Sequence, residues 1–272
     1  MLRIGHIDYA NCTPIFNAMH ELFSDVNYEY VRGVPASLNK MLATGEIDIC
    51  PSSSIAFSMA PDSLLIMPDL SISSFGAVQS VLLFSLKPIE ELDGSTVLLS
   101  AESATSVNLL KILLKKRFGC ECLYKLTNQT VVEALDDAQA LLLIGDSALH
   151  AAQCEPAVFI YDLGALWYDW TGTPFVFALW LVSKDAFSRS EYDLLTLANR
   201  FVVAKNYAMA NLEKIVDESP EESWMGRERL LEYWKVLSYD LTERHIEGLK
   251  LFYAFASELG LIKSVPELVF LK

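Results

Sequence analysis

The sequence predicts an α/β protein of two open lobes with a ligand cleft between them. Strand and helix patterns alternate through the first fifty residues, and residues 88–176 form a second α/β unit. An apolar strand pattern borders that unit on each side, at 78–86 and at 175–182. These two strands would carry the chain from one lobe to the other and back. We therefore expect lobe 1 to comprise 1–87 and 177–272, and lobe 2 to be the inserted segment 88–176.

The elements of lobe 1 follow from hydrophobic periodicity and from helix-ending signals. Pro14 and Pro35 suit the first turn of a helix, and Gly45 suits the position after the last turn. The predicted strands are 2–7, 28–31, 47–50 and 64–67, and the predicted helices are 14–22, 35–43, 191–211, 223–236 and 243–259.

The elements of lobe 2 are predicted in the same way. Short apolar runs predict strands at 96–99, 141–144 and 159–161. Residues 103–118 are predicted to be an amphipathic helix that ends at Gly119. After the strand at 159–161 the chain is predicted to enter a loop that leads into the second crossing strand at 175–182.

Composition narrows the range of partners. The chain has 272 residues, 52% of them hydrophobic, and a formal net charge of −14 without any long run of Lys or Arg. Nucleic acid and anionic membrane surfaces are therefore poor partners. The N-terminal residues already read as a strand, so we expect a cytoplasmic protein, either a monomer or a homodimer.

No cofactor or metal is expected. The five cysteines form an odd set, which favours reduced thiols over a disulfide framework. Cys120 and Cys122 are spaced too closely for a zinc knuckle, and the four histidines are scattered. Neither a glycine-rich phosphate loop nor a dinucleotide fingerprint is present.

Candidate ligand-binding residues follow the predicted strands. Ligands of open α/β sheets bind at the carboxyl ends of strands, and hydroxyl-rich helix starts suit anions. Between Leu126 and Ser183 the sequence has seven acidic residues but neither Lys nor Arg, so an anion there would be held by dipoles and hydroxyl groups. The candidates are Tyr9, Ser53, Ser54, Ser103, Thr105 and Ser106. Ordinary helix capping is the alternative for each serine.

Three further residues have two interpretations each, and a fourth candidate lies beside one of them. Asn11 is either a functional amide or a turn-forming residue. Asp146 is either a catalytic carboxylate or a helix cap. Trp167 either stacks on a ligand ring or packs in the core, and Thr171 lies in the same Gly- and Thr-containing segment.

Six motifs in order along the chain resemble one family, the chorismate dehydratases of the futalosine route to menaquinone. They are Tyr9-x-Asn11-x-x-Pro14, Gly33-x-Pro35-x-x-Leu38-Asn39, Gly45-x-x-Asp48-x-x-Pro51-x-Ser53-Ser54, Gly145-Asp146-x-Ala148-Leu149, Asp162-Leu163-Gly164-x-x-Trp167 and Thr171-Gly172-x-Pro174-Phe175-Val176-Phe177-Ala178-x-Trp180. The resemblance implies a fold similar to type 2 periplasmic binding proteins. It also implies removal of water from chorismate to give 3-[(1-carboxyvinyl)oxy]benzoate, without a cofactor.

The resemblance also implies roles for particular residues. It links Asn11 and Ser80 to catalysis, and it makes Tyr9, Ser53, Ser54, Ser103, Thr105, Ser106, Asp146, Trp167 and Thr171 candidates for substrate binding. The proton acceptor is either a carboxylate of the substrate or Asp146. The competing functions are the sister enzyme 1,4-dihydroxy-6-naphthoate synthase and a non-catalytic protein that binds small carboxylates.

Overall fold

A computed structural model describes residues 1–154 and 158–272, which form two mixed sheets flanked by helices. The strands are β1 (Arg3–His6), β2 (Glu29–Arg32), β3 (Ile49–Ser53), β4 (Leu64–Ser74), β5 (Val81–Ser85), β6 (Thr96–Ser100), β7 (Leu123–Thr127), β8 (Ala140–Ile144), β9 (Phe159–Asp162), β10 (Phe175–Ser183) and β11 (Leu237–Ser238). The first sheet has the order β11-β4-β10-β3-β1-β2, and the second has the order β7-β6-β8-β5-β9. The predicted class, two open α/β lobes, is confirmed.

The helices cover both sheets. They are α1 (Thr13–Leu22), α2 (Pro35–Thr44), α3 (Ser54–Met59), α4 (Ala104–Ile112), α5 (Val131–Asp137), α6 (Gly145–Gln153), α7 (Leu163–Thr171), α8 (Lys184–Ala210), α9 (Leu212–Asp217), α10 (Glu222–Met225), α11 (Arg227–Val236) and α12 (Glu243–Glu258). None of the helices in the described ranges is both long enough and apolar enough to span a membrane.

Most predicted helix limits agree with the structure because the end signals act locally. Helix α2 begins at Pro35, and Gly45 follows it with φ 75°. Helix α8 begins seven residues earlier than predicted, because the Ser183 side chain accepts a hydrogen bond from the Ala186 N–H at 3.4 Å. Ser190 has a non-helical backbone and kinks this helix near the predicted start.

Residues 163–171, which follow the predicted strand at 159–161, are the clearest error of the sequence-based prediction. Leu163–Thr171 is a helix, not a loop, and the Asp162 side chain caps it by accepting from the Ala165 N–H at 3.0 Å. Leu163, Leu166, Trp167 and Trp170 recur with helical spacing, but the flanking Gly and Thr residues obscured the pattern.

The first crossing between the lobes also differs from the prediction. Strand β5 pairs with β8 and β9, so it belongs to the sheet of lobe 2 rather than to lobe 1. The chain therefore crosses at 75–80, before β5, and the predicted boundary at residue 87 lies too late. The return crossing at 172–174 lies close to the predicted one, since β10 belongs to the first sheet. Both crossings are short loops rather than strands.

The lobes share one continuous hydrophobic core. Helix α12 of lobe 1 contacts β10 and also α4 of lobe 2, and α3 packs against α4. Gly248 of α12 approaches the return crossing so closely that a Cβ there would lie 2.0 Å from the Pro174 carbonyl oxygen. This packing fixes the cleft between the two sheets.

Candidate active site

A cleft between the lobes collects the ends of strands from both sheets. It is lined by Ile7, Tyr9, Asn11, Cys12, Pro35, Pro51, Ser52, Ser53, Ile72, Val78, Ser80, Val81, Ser103, Ser106, Ile144, Gly145, Phe177 and Ala178. No charged side chain is present in this lining. Apolar walls with a few hydroxyl, amide and phenol groups are typical of a site for a small molecule.

The backbone on either side of Asn11 is held by the C-terminal part of the chain. Trp234 Nε1 donates to the Ala10 carbonyl at 2.7 Å, and the Tyr239 hydroxyl donates to the Asn11 carbonyl at 2.8 Å. The side-chain Oδ1 of Asn11 is buried and has no hydrogen-bond partner among the described residues. A buried polar atom left unpaired costs free energy, so this oxygen is available to a ligand in the cleft.

Ser80 lies at the end of the first crossing between the lobes. Contacts from three other parts of the chain hold this crossing in place. Its carbonyl accepts from the Gly145 N–H at 2.7 Å, and its Oγ accepts from the Tyr233 hydroxyl at 3.0 Å. The Asp162 carboxylate accepts from the N–H groups of Val78 and Gln79, at 3.0 and 2.6 Å. These contacts hold the crossing in a shape that includes Gln79 at φ 61°.

The predicted serine clusters divide into two groups. Ser53, Ser103 and Ser106 line the cleft, and Ser103 Oγ accepts from the Ser106 N–H at 3.3 Å as the cap of α4. Ser54 and Thr105 are fully buried behind the cleft. Neither side chain lines the cleft, which differs from the placement expected for direct substrate contacts.

Ser54 and Thr105 instead join the two lobes. Thr105 Oγ1 accepts from the Ile55 N–H at 3.1 Å, and it lies 3.3 Å from Ser54 Oγ. Both contacts link the start of α3 in lobe 1 to the start of α4 in lobe 2.

Asp146 and Tyr9 each make a contact between the two lobes, Asp146 with Ala10 and Tyr9 with Gly145. Asp146 Oδ1 accepts from the Ala10 N–H at 3.0 Å, and Asp146 itself does not line the cleft. Burial raises the pKa of Asp146 to about 6, against the opposing effect of the Ala10 N–H. The Tyr9 ring packs against Gly145, and the Tyr9 hydroxyl is buried without a partner in the described ranges. Burial, with the charge of Glu102, raises the pKa of Tyr9, which therefore stays protonated.

Trp167 and Thr171 are also absent from the cleft lining, which differs from the placement expected for substrate contacts. Trp167 is fully buried, and its ring packs edge-on against Phe175, with the centroids 5.2 Å apart. The Thr171 hydroxyl donates to the Trp167 carbonyl at 2.9 Å, at the end of α7. Both residues stabilise the junction of α7 with β10.

Three residues of this site were missed from the sequence. Tyr233, Trp234 and Tyr239 reach the cleft loops from α11 and the residues after it. Locally they read as the apolar face of a helix followed by a turn, and only the tertiary fold brings them to positions 10, 11 and 80.

The structure offers no obvious metal centre in its described ranges, where no three His, Cys, Asp or Glu side chains are placed to share an ion. Lobe 2 has a second cavity, at the ends of β6, β7 and β8. It includes the side chains of Glu102, Gln129, Ser147 and His150. Neither Asn11 nor Ser80 belongs to its lining.

The fold and the cleft define a two-lobed protein of the periplasmic-binding-protein architecture, with an uncharged site for a small molecule. A family model described as menaquinone biosynthesis matches residues 2–258, and the chain belongs to that family. The chorismate dehydratase of Thermus thermophilus is 32% identical over 273 residues, which cover 95% of each chain. The chorismate dehydratase of Campylobacter jejuni is 31% identical over 212 residues, or 75% of this chain and 79% of that one. The family resemblance seen in the motifs is thus confirmed.

Solved structures show the same architecture. A protein of Archaeoglobus fulgidus has a TM-score of 0.75 at 20% identity, covering 96% of this chain and 98% of its own. The periplasmic aliphatic sulphonate binding protein of Escherichia coli has a TM-score of 0.70 at 14% identity, covering 97% and 89%. At these identities the similarity shows the fold alone.

Proposed function

We propose that this chain is a carbon–oxygen lyase that dehydrates chorismate to 3-[(1-carboxyvinyl)oxy]benzoate for menaquinone biosynthesis. The observation that carries the proposal is the convergence of Asn11 and Ser80 in one uncharged, hydroxyl-lined cleft. The similarity to two chorismate dehydratases supports the choice of substrate.

The cleft suits a substrate with two carboxylates even though its lining has no cation. Ser52 and Ser53 lie on the lobe 1 side, and Ser103 and Ser106 lie on the lobe 2 side. A hydrogen bond to a charged group contributes roughly 1.5–3 kcal/mol. Hydroxyl groups on both sides therefore allow the two lobes to bind the substrate together.

The reaction requires little chemistry from the protein. The C3–H bond breaks, its electron pair becomes part of the ring, and the C4–O bond breaks, so that proton and hydroxide leave as water. The product is aromatic, which supplies the driving force. The protein has to position the reacting groups and stabilise the charge that develops. We assign the Asn11 amide to the departing C4 hydroxyl and Ser80 to the orientation of the side-chain carboxylate.

The substrate's own enolpyruvyl carboxylate is our proposed proton acceptor. Three carboxylates, those of Asp8, Glu102 and Asp146, are each adjacent in sequence to a lining residue, but none of them lines the cleft. Asp146 Oδ1 in addition accepts from the Ala10 N–H. His6 is stacked on Phe16 at 4.0 Å between centroids and is also outside the lining. A chorismate analogue without the side-chain carboxylate should therefore bind and remain unreacted.

The test is incubation of the purified protein with chorismate, followed by chromatography and mass measurement of the product. We expect loss of one water and appearance of the aromatic enol ether. Asn11→Ala should lower kcat far more than it changes KM, because the contact would form mainly in the transition state. Binding of chorismate without conversion would favour a carboxylate-binding protein. Unchanged chorismate with well-folded native protein would refute the proposed activity.

A further inference from the structure

The buried hydroxyl of Tyr233 contacts one side chain of the cleft. Tyr233 lies on α11 and is 1% exposed, and its hydroxyl donates to Ser80 Oγ at 3.0 Å. Its neighbours on the same segment, Trp234 and Tyr239, contact backbone carbonyls instead. Of these three aromatic residues, only Tyr233 therefore acts on a functional group that faces the ligand.

The contact with Tyr233 determines the direction in which Ser80 can donate its single hydroxyl proton. A serine hydroxyl has one donor and two acceptor sites, and Tyr233 occupies one acceptor site. The other protein group near Ser80 Oγ is the Val78 carbonyl, at 3.4 Å, which is long for a hydroxyl donor. A substrate oxygen in the cleft would offer the Ser80 proton a shorter bond.

Tyr233 is also well suited to remain a donor. Burial raises its pKa, so the phenol keeps its proton at any pH at which the protein works. Ser80 Oγ is its only hydrogen-bond partner in the part of the chain that the structure describes. If Tyr233 did not donate to Ser80, a buried hydroxyl proton would remain unpaired at a cost in free energy.

We propose that Tyr233 is a positioning residue that makes Ser80 a hydrogen-bond donor to the substrate. This inference rests on the proposed function, since it assigns the direction of a hydrogen bond in that reaction. Tyr233 does not touch the substrate; it acts through Ser80.

The variant Tyr233→Phe tests the inference because it removes only the hydroxyl. We expect kcat to fall about tenfold, as for loss of one orienting hydrogen bond, with KM changed less than about twofold. The matched control is Tyr161→Phe. It removes a tyrosine hydroxyl that accepts from the Ile89 N–H at 3.0 Å in lobe 2, away from the cleft. This control should lose stability but keep its kcat.

A double-mutant cycle separates positioning from general packing. In the Ser80→Ala background, Tyr233→Phe should change kcat less than about twofold, because the group through which it acts is absent. Equal losses in both backgrounds, or native kcat for the single variant, would overturn the inference while leaving the proposed function intact. If the native protein does not convert chorismate, both the proposed function and the role of Tyr233 are refuted. The assay of the native protein alone therefore distinguishes failure of the function from failure of this inference.

Discussion

Gly145 is the position at which a single methyl group should disturb the contact between the two lobes at the cleft. It follows β8 in lobe 2 with φ 57°, and a Cβ there would lie 3.2 Å from Cδ2 and Cε2 of the Tyr9 ring in lobe 1. Gly145→Ala therefore combines two costs. The first is a left-handed backbone for a residue with a side chain, and the second is a forced shift of Tyr9.

The two costs have different consequences. A left-handed conformation costs an L-residue roughly 1–2 kcal/mol wherever it occurs. Overpacking against the Tyr9 ring adds roughly 1–3 kcal/mol, and the shift of Tyr9 that relieves it changes the wall of the cleft. If about 1–2 kcal/mol of this cost falls on chorismate binding, KM should rise roughly 5- to 30-fold.

Gly94→Ala is the matched control. Gly94 has φ 67° in the same lobe, but a Cβ there meets nothing within 4 Å. Both variants should lose stability in urea unfolding, and only Gly145→Ala should raise KM. Equal KM values for the two variants would refute the view that the contact of Tyr9 with Gly145 shapes the binding cleft.

Two further predictions follow from neighbouring contacts. Ser106→Ala should raise KM about tenfold, measured by kinetics, with little change in stability, because Ser106 lines the cleft. Thr105→Val should leave the Ile55 N–H unpaired and lower the free energy of unfolding in urea by about 1–3 kcal/mol. The reverse pattern would contradict the assignment of Ser106 to the cleft and of Thr105 to the contact between the lobes. Burial raises the pKa of Asp146 from 3.8 to about 6 on folding, so the folded protein binds this proton more tightly than the unfolded chain. The resulting contribution to stability is fully present below pH 3.8 and is lost as the pH rises through about 6. Asp146→Asn removes this titrating group. The free energy of unfolding of the variant should match that of the native protein near about pH 4 and exceed it by at most about 3 kcal/mol at about pH 8. Equal stability at both pH values would show that Asp146 is not buried in this way.

His6 makes the opposite contribution in nearly the same pH range. Burial lowers the pKa of His6 from 6.5 to about 4, so the unfolded chain takes up this proton first as the pH falls. The stabilising effect of a neutral His6 is present above 6.5 and lost as the pH falls toward about 4. The two groups offset each other in the native protein, and Asp146→Asn should reveal the steeper rise of stability with pH that His6 produces.

The sequence predicted the parts of this molecule that depend on local signals. Pro35 and Gly45 limit α2 through backbone geometry that needs no tertiary context. Asn11, Ser53 and Ser103 follow strands, and the sheet brings strand ends together, so their convergence was predictable.

The remaining features depend on long-range packing. Ser106 and Thr105 are adjacent hydroxyl residues at the start of one helix, and only the position of α3 decides that Thr105 joins the lobes while Ser106 lines the cleft. Tyr233 reaches Ser80 from 153 positions away, which no local pattern records. The strand β5 was assigned to the wrong lobe because its apolar sequence suits the centre of either sheet.

A crystal structure of the protein with 3-[(1-carboxyvinyl)oxy]benzoate bound is the most direct test of the central claim. We predict that the ring lies beside the Asn11 amide and Ser80 Oγ, with a carboxylate on the hydroxyl groups of Ser103 and Ser106. Product bound instead in the second cavity of lobe 2, beside Glu102 and His150, would contradict the account.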